Sequence, residues 1–244
     1  MKIIFLFLLF VQSGLGQLPD PRAIIERVDK NTVTGAIQYR AKLVISVGGE
    51  VREKEFIGYA LGSDRGYMEF TAPARDKGTR FLKLEDGMWI YLPAVEKATK
   101  IAGHMLRQNM MGSDFSYDDL MENKKLQELY EINLAGSDSV LGNDCYVLDL
   151  SARTEEVAYA RRKLWVDKES FIPRKVELYA KSGRLLKEIS ITDFQRIADR
   201  NYPIRIRMVN KLRQNTYSEM VLDDIQIDAV IPARIFTRAY LERK

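Results

Sequence analysis

The sequence predicts a mainly β protein in which a curved antiparallel sheet is covered by short helices. Apolar residues alternate with polar ones in about eleven runs, the period of half-buried strands. The runs lie near residues 37–47, 54–61, 67–71, 79–84, 88–92, 145–150, 162–167, 174–180, 185–194, 203–213 and 218–228. Turn residues such as Gly48-Gly49 separate them, leaving connections too short for a parallel crossover. Because so wide a sheet curls, we expect a curved sheet or an open antiparallel β-barrel of about eleven strands.

Two segments can cover the apolar face of this sheet. The first is a helix over 20–34, with Asp20 as N-cap, Pro21 at the first helical position and Ile24, Ile25 and Val28 on one side. The second segment spans 94–135. Within it, Ser116 and the acids after it fit a capping arrangement for a helix running through Leu120, Met121, Leu126 and Leu129. Helices plugging the concave side would close a barrel that can hold one small ligand.

The amino end predicts secretion. Met1 and Lys2 precede the apolar run Ile3–Val11, and the small residues Gly14 and Gly16 follow it. This is the pattern of a signal peptide over residues 1–16, cut after Gly16. The run is too short for a permanent transmembrane helix, which needs about 20 apolar residues. We expect a single mature domain over residues 17–244, located in a bacterial periplasm.

Composition excludes several classes of protein. The net charge is +4 with 30% charged residues, which is mild, and no nucleic-acid-binding motif is present. A single cysteine, Cys145, cannot form an internal disulfide and suits a buried strand position. The composition therefore favours a chain that folds around its own core, binds no nucleic acid and is monomeric.

Candidate catalytic and metal-binding residues are few. His104 is the only histidine and stands beside neither a nucleophile nor a partner base, so a packing or solvated role is the simpler interpretation. Asp114, Asp118 and Asp119 lack the glycine and terminal glutamate of a calcium loop, and capping explains them better. Nucleotide-binding and hydrolase motifs are absent. We expect no enzymatic activity, no metal and no cofactor.

Aromatic and methionine side chains suggest a ligand cavity. A methionine-rich segment runs from His104 to Leu120, and aromatic residues lie on consecutive predicted strands. Ordinary core packing explains any one of them. As a group, these side chains have more apolar surface than two short helices can cover. Apolar surface that stays uncovered on the concave side of a sheet can form a ligand pocket. The predicted cavity lining or lid residues are Tyr59, Phe70, Trp89, Tyr91, Met105, Met110, Met111 and Phe115.

Three stretches of sequence carry a family resemblance. They are FLKLEDGMWIYLPAVEKATKIAG (81–103), MMGSDFSYDDL (110–120) and LWVDKESFIPRKVELYAKSGRLL (164–186). They resemble the outer membrane lipoprotein-sorting protein family, within the LolA-like superfamily of periplasmic lipoprotein carriers. The resemblance implies a half-open barrel closed by helices around a hydrophobic cavity for acyl chains. It also implies two partners, an inner-membrane exporter and an outer-membrane acceptor.

Two functional hypotheses follow. The first is a periplasmic carrier that binds acyl chains of lipoproteins or lipids and transfers them toward the outer membrane. The second is a non-catalytic accessory module that docks on an inner-membrane exporter through a basic strand face. That face would consist of Arg205, Arg207, Lys211 and Arg213, which are otherwise read as a solvated outer face.

Overall fold

A computed structural model describes residues 19–85 and 87–243 of the chain. The predicted signal peptide, residues 1–16, lies outside the described residues. In the described part, thirteen strands form one antiparallel sheet. They are β1 (Ala36–Val47), β2 (Glu50–Leu61), β3 (Arg65–Ala72), β4 (Arg80–Leu84), β5 (Gly87–Leu92), β6 (Lys97–Ile101), β7 (Tyr130–Val140), β8 (Asn143–Ala152), β9 (Arg161–Asp167), β10 (Pro173–Tyr179), β11 (Leu185–Ile197), β12 (Arg200–Asn210) and β13 (Thr216–Ile227).

The strand order explains the half-open shape. It runs β6-β5-β4-β3-β2-β1-β13-β12-β11-β10-β9-β8-β7, so the first strand pairs with the last, and β6 and β7 form the two edges. Each half is a meander of hairpins, as the short turns predicted. The sheet is not closed, because β6 and β7 do not pair with each other. Residues 102–129, here called the crossing segment, connect these two edges.

The strand count of about eleven was wrong, because two strands were missed. They are the edge strands β6 and β7. Edge strands bury less apolar surface than central ones, so their alternation is weaker. In β7, Gly136 and the polar residues Ser137, Asp138 and Ser139 interrupt the apolar pattern. The other eleven strands lie where the sequence predicted them.

The first predicted helix is confirmed as α1 (Pro21–Thr32). The Asp20 carboxylate accepts a hydrogen bond from the Arg22 N–H at 2.9 Å, and Pro21 begins the helix. Ile24, Ile25 and Val28 are buried against β7–β10. Helix α1 therefore closes the half of the concave face that these strands form.

The second predicted helix is divided into two short ones. They are α2 (Tyr117–Met121) and α3 (Leu126–Leu129), separated by an extended link. The continuous helix expected through Leu129 was wrong, because Glu122 and Lys125 adopt extended backbone angles at the link. The crossing segment also contains 3-10 turns at Gly103–Arg107 and Met110–Gly112.

The carboxyl-terminal residues cover the outer face of β3–β5, which the sequence analysis did not foresee. A 3-10 turn (Ala233–Phe236) and helix α4 (Arg238–Leu241) pack Ile235, Phe236 and Leu241 onto that face. Arg243 contacts Glu69 at 2.5 Å and donates to the Tyr67 hydroxyl at 2.7 Å. This part of the sheet is thus buried on both sides.

Candidate functional site

An internal cavity lies between the concave face, α1 and the crossing segment. Its volume is about 300 Å³, at the lower limit of typical ligand pockets. Small residues on the concave side of β2 and β3 create part of this space: Ala60 on β2 and Gly66 on β3. The Tyr39 ring lies over Gly58, so closely that a Cβ there would be 2.3 Å from its Cζ. A larger depression of about 610 Å³ lies beside α1, but several of its walls are charged side chains.

The cavity has an apolar floor and a polar rim. Exposed rim positions include Gly62 and Arg65 in the β2–β3 hairpin, and Glu122 and Lys124 in the link between α2 and α3. Phe115 and Leu120 of the crossing segment cover the opposite side. The floor comes from strands β9–β13 and consists of Leu164, Val176, Leu178, Ile189, Ile191, Ile206, Met208, Met220 and Leu222.

The loop before α2 is anchored to the sheet by Asp114, which is fully buried. Its carboxylate accepts hydrogen bonds from Thr216 Oγ1 and Ser218 Oγ, both at 2.9 Å. Its backbone N–H donates to Ser218 Oγ at 2.8 Å, and Arg213 Nη1 lies 3.4 Å from its carboxylate. The acid therefore fixes the loop on β13, where the sequence analysis predicted only turn chemistry.

Helix α2 is held by a buried ion pair. Ser116 and Asp119 form the expected capping box. The Asp119 carboxylate also lies 2.5 Å from Lys187 Nζ and accepts a hydrogen bond from the Tyr159 hydroxyl at 2.7 Å. The Asp119 and Lys187 side chains are only 6% and 8% exposed. Burial raises the pKa of Tyr159, and the adjacent Asp119 carboxylate raises it further.

A second ion pair lies at the end of α2. Arg162 donates to both Glu122 oxygens, at 2.7 and 2.9 Å, and to the Tyr130 hydroxyl at 2.8 Å. Burial by itself lowers the pKa of Arg162, but attraction to Glu122 and Tyr130 raises it above its usual value. Two ion pairs therefore tie α2 and its following residue to β9 and β11.

The link after α2 is attached to the rim through Asn123. Its side-chain amide donates to the Thr34 and Gly62 carbonyls at 3.0 and 2.7 Å, and its oxygen accepts from the Thr34 N–H at 3.2 Å. Farther along, the buried Asp29 of α1 accepts from the N–H groups of Leu126 and Gln127 at 2.8 and 3.1 Å. Burial raises the pKa of Asp29, although these N–H groups oppose the rise. The part of the crossing segment that follows α2 is thus held by polar contacts near the rim.

The predicted lining residues divide between the two faces of the sheet. Phe70, Met110 and Phe115 are buried in the cluster on the concave face, and Met111 packs against it. Phe115 reaches the cavity wall. Met105 lies in the 3-10 turn of the crossing segment and is 39% exposed. Their role in binding stays a prediction.

The remaining three predicted lining residues are aromatic and belong to the outer face. Trp89 and Tyr91 pack under the carboxyl-terminal residues, in register with Leu82 and Arg80 of β4. Tyr59 packs against the same outer cluster and also borders the cavity wall. The structure therefore does not bring these aromatic residues together with Phe70 and Met110.

The predicted basic face carries acidic partners. Glu219 lies 2.7 Å from Arg205 and 3.5 Å from Arg207, and Glu188 lies 3.3 Å from Lys211. Arg213 contacts Asp114 and the carbonyls of the neighbouring loop instead. These pairs reduce the positive charge that a docking partner would meet.

Functional candidates missed by the sequence analysis include Arg162, Lys187, Tyr39 and Tyr202. Lys187 precedes Ile189 and Ile191 in the apolar register of β11, and Arg162 precedes Leu164 and Val166 in β9. A charged residue at a concave-face position was the available signal. The two tyrosines gave no comparable signal, because tyrosine is common in strands.

The described residues also bear on metal binding and on membrane insertion. Within residues 19–85 and 87–243, no group of three or more His, Cys, Asp or Glu side chains is placed to hold a metal ion. None of the helices described there has the length and apolar character needed to cross a bilayer.

Comparison with known proteins identifies the family. A family model with the description "-like: Uncharacterized protein" matches residues 62–243, more than half of the chain. The chain belongs to this family. A search of the curated proteins finds no match.

Solved structures show that the fold is LolA-like. An outer membrane lipoprotein-sorting protein domain from Vibrio parahaemolyticus is 23% identical, with a TM-score of 0.80, covering 91% of this chain and 97% of its own. A DUF1329 family protein from Desulfovibrio piger is 25% identical, with a TM-score of 0.82, and the match covers 91% of this chain and 100% of that protein. A LolA superfamily protein from Nitrosomonas europaea is 24% identical, with a TM-score of 0.76, and the match covers 90% of this chain and 98% of that protein. These structures confirm the LolA-like fold that the sequence resemblance implied.

Proposed function

We propose that this protein is a periplasmic carrier that binds acyl chains of lipoproteins or lipids and transfers them toward the outer membrane. The observation that carries the proposal is the internal apolar cavity between the concave face and the crossing segment. The fold supports it, since a solved structure with this fold is named for outer membrane lipoprotein sorting. The predicted signal peptide supports a periplasmic location.

Binding would be driven by removal of acyl chains from water. Each buried methylene contributes about 0.8 kcal/mol, so a chain of ten methylenes could contribute roughly 8 kcal/mol before the cost of ordering it. The cavity of about 300 Å³ admits part of such a chain. Full entry would require the crossing segment to move away from the sheet, which makes it the proposed lid.

The polar contacts of the crossing segment suit such a movement. Asp119, Glu122 and Asn123 hold it through hydrogen bonds and ion pairs that can exchange with water when the lid opens. The apolar surface then exposed would be covered by the acyl chain. In this proposal the protein is a binding protein and not an enzyme, and an exporter would provide any energy required. Exporter and acceptor remain proposed partners.

A cavity-filling substitution tests the proposal. Ala60 borders the cavity and pairs with Ile37 on β1 and Gly66 on β3. Ala60→Leu should reduce lipid bound to residues 17–244, measured by native mass spectrometry without detergent. Ala94→Leu, at an exposed turn position, is the matched control and should bind as the wild type does.

The result would contradict the proposal in either of two cases. One is a wild-type protein that remains at its apo mass after incubation with phospholipid vesicles and with a lipopeptide. The other is lipid binding that Ala60→Leu leaves unchanged while far-UV circular dichroism shows the variant folded. The docking hypothesis receives no separate support, because its four basic residues contact acids.

A further inference from the structure

Two tyrosine hydroxyls at the cavity have no hydrogen-bond partner among the residues that the structure describes. Tyr39 and Tyr202 both line the cavity. Neither hydroxyl makes a hydrogen bond to any residue that the structure describes. Each hydroxyl oxygen nevertheless keeps some accessible surface, because no fully enclosed polar side-chain atom lacks a partner in the described part of the chain. Both side chains lie deep in the fold but keep some accessible surface. That surface must therefore belong to the cavity.

Three other buried tyrosines in this protein are hydrogen-bonded. Tyr67 donates to Glu69 at 2.8 Å, Tyr130 to the Tyr159 carbonyl at 3.0 Å, and Tyr159 to Asp119 at 2.7 Å. Buried tyrosine hydroxyls normally find such a partner. The two unpartnered hydroxyls are therefore available to a ligand group inside the cavity.

The position of the two tyrosines within their strands indicates which ligand group they would meet. On the concave side, Tyr202 is followed by Ile204, Ile206 and Met208 along β12. Tyr39 is followed in the same way by Ala41, Leu43 and Ile45 along β1. In each row, therefore, one hydroxyl is followed by three apolar side chains.

The ends of β1 and β12 that carry the two tyrosines lie toward the rim. Thr34, just before β1, is tied to Asn123 of the crossing segment. Arg200, at the start of β12, donates to the Val33 carbonyl at 3.1 Å. Only β13 separates β1 from β12, so the two tyrosine backbones are about 10 Å apart at the normal strand spacing. A ligand entering over the rim passes these hydroxyls before it reaches the apolar floor.

We propose that Tyr39 and Tyr202 form a hydrogen-bonding subsite for the carbonyl oxygens that link acyl chains to their head group. This inference rests on the proposed carrier function and narrows its ligand to ester- or amide-linked acyl chains. A phenolic O–H donates well to a carbonyl oxygen. A hydrocarbon tail at the same point has no acceptor and would leave the phenolic O–H without a hydrogen bond. Lipoproteins and glycerophospholipids both carry such carbonyls.

The electrostatic environment agrees with a donor role. Burial raises the pKa of Tyr39 to about 12, and burial likewise raises the pKa of Tyr202. Both hydroxyls therefore keep their protons throughout the physiological pH range. A protonated hydroxyl can donate to a carbonyl oxygen.

The test compares two lipids that differ only in these carbonyls. Dipalmitoyl phosphatidylglycerol has two ester carbonyls, and dihexadecyl phosphatidylglycerol replaces them by ethers with the same head group. Binding to residues 17–244 would be measured by native mass spectrometry and by lipid titration. We expect the ester lipid to bind about nine- to 25-fold more tightly, the combined effect of two neutral hydrogen bonds that each contribute about three- to fivefold.

Variants assign that preference to the two hydroxyls. Tyr39→Phe and Tyr202→Phe should each weaken ester-lipid binding about three- to fivefold and leave ether-lipid binding unchanged. Tyr217→Phe is the matched control, since Tyr217 stacks with Arg207 and does not line the cavity. A tripalmitoyl lipopeptide is measured in parallel, and a larger tyrosine effect on it than on the phospholipid would identify lipoprotein as the carbonyl source.

Two outcomes would overturn the inference, and they are distinguishable. If ester and ether lipids bind equally and the Phe variants behave as wild type, the carbonyl subsite is wrong while the carrier function stands. If wild-type protein binds none of the three lipids, the carrier function fails and the subsite fails with it.

Discussion

Substituting Lys187 should show how strongly the crossing segment is held on the sheet. Its ammonium forms the buried pair with Asp119, whose carboxylate also accepts from the Tyr159 hydroxyl and from the Ser116 N–H at 2.7 Å. Removing one partner of a buried pair typically costs about 3–5 kcal/mol, because the other charge stays buried without compensation. Since Asp119 keeps two hydrogen bonds, we expect Lys187→Met to cost about 3 kcal/mol, at the lower end of that range.

Urea unfolding is the appropriate assay. With a slope of about 3 kcal/mol per molar, a loss of about 3 kcal/mol lowers the urea midpoint by about 1 M. Hydrogen exchange of residues 116–122 should accelerate as well, since the pair holds α2. The matched control is Lys181→Met, because the Lys181–Glu155 pair is 81% and 86% exposed and should contribute nothing measurable.

A double variant separates pairing from general damage. Asp119→Leu combined with Lys187→Met removes both charges and leaves none uncompensated, so it should lose less stability than the sum of the two single variants. The reasoning is refuted if Lys187→Met is within about 0.5 kcal/mol of wild type, or if the two losses simply add.

Three further predictions concern the rim, the concave face and acid stability. Asn123→Ala should lower the free energy of unfolding by about 1–2 kcal/mol and speed hydrogen exchange at residues 122–126, because three hydrogen bonds to Thr34 and Gly62 are lost. Unchanged exchange would contradict the proposal that Asn123 attaches this link to the rim. Gly58→Ala should cost about 1–3 kcal/mol in urea unfolding, because the new Cβ would overlap the Tyr39 ring, and wild-type stability would show that the ring moves freely. Burial tends to raise the pKa of Asp167, but the N–H groups of Ser170 and Glu169 and the Arg174 guanidinium outweigh it and lower the pKa. The ionised Asp167 carboxylate therefore stabilises the fold above its ordinary pKa, and this stabilisation is lost as the pH falls through the pKa of the folded state. On acidification from pH ~5 to pH ~2, Asp167→Asn should therefore lose less stability than the wild type. Equal losses in the two proteins would contradict this assignment.

Strands and α1 were predictable because their signals are local. Eleven strands followed from period-two alternation, and α1 followed from Asp20, Pro21 and three apolar residues at helical spacing. The missed edge strands lack a strong apolar face. The division between α2 and α3 depends on the contacts of Asn123 with Thr34 and Gly62, which are far away in sequence.

The candidate site was less predictable because it depends on which face of each strand meets the cavity. Alternation groups Tyr59 with Leu61, and Trp89 with Tyr91, but does not say which face is concave. The outer face of β3–β5 is also apolar, since Ile235, Phe236 and Leu241 cover it. Two apolar faces cannot be distinguished by periodicity alone.

Photo-crosslinking with a lipid that carries a diazirine in its acyl chain would show whether the acyl chain enters the cavity. The label would be located by mass spectrometry of peptides from residues 17–244. We expect labels on the cavity wall, at Phe115, Met208, Met220 and Leu222. Labels confined to the outer face around Trp89 and Tyr91, or to the outer side of α1, would contradict it.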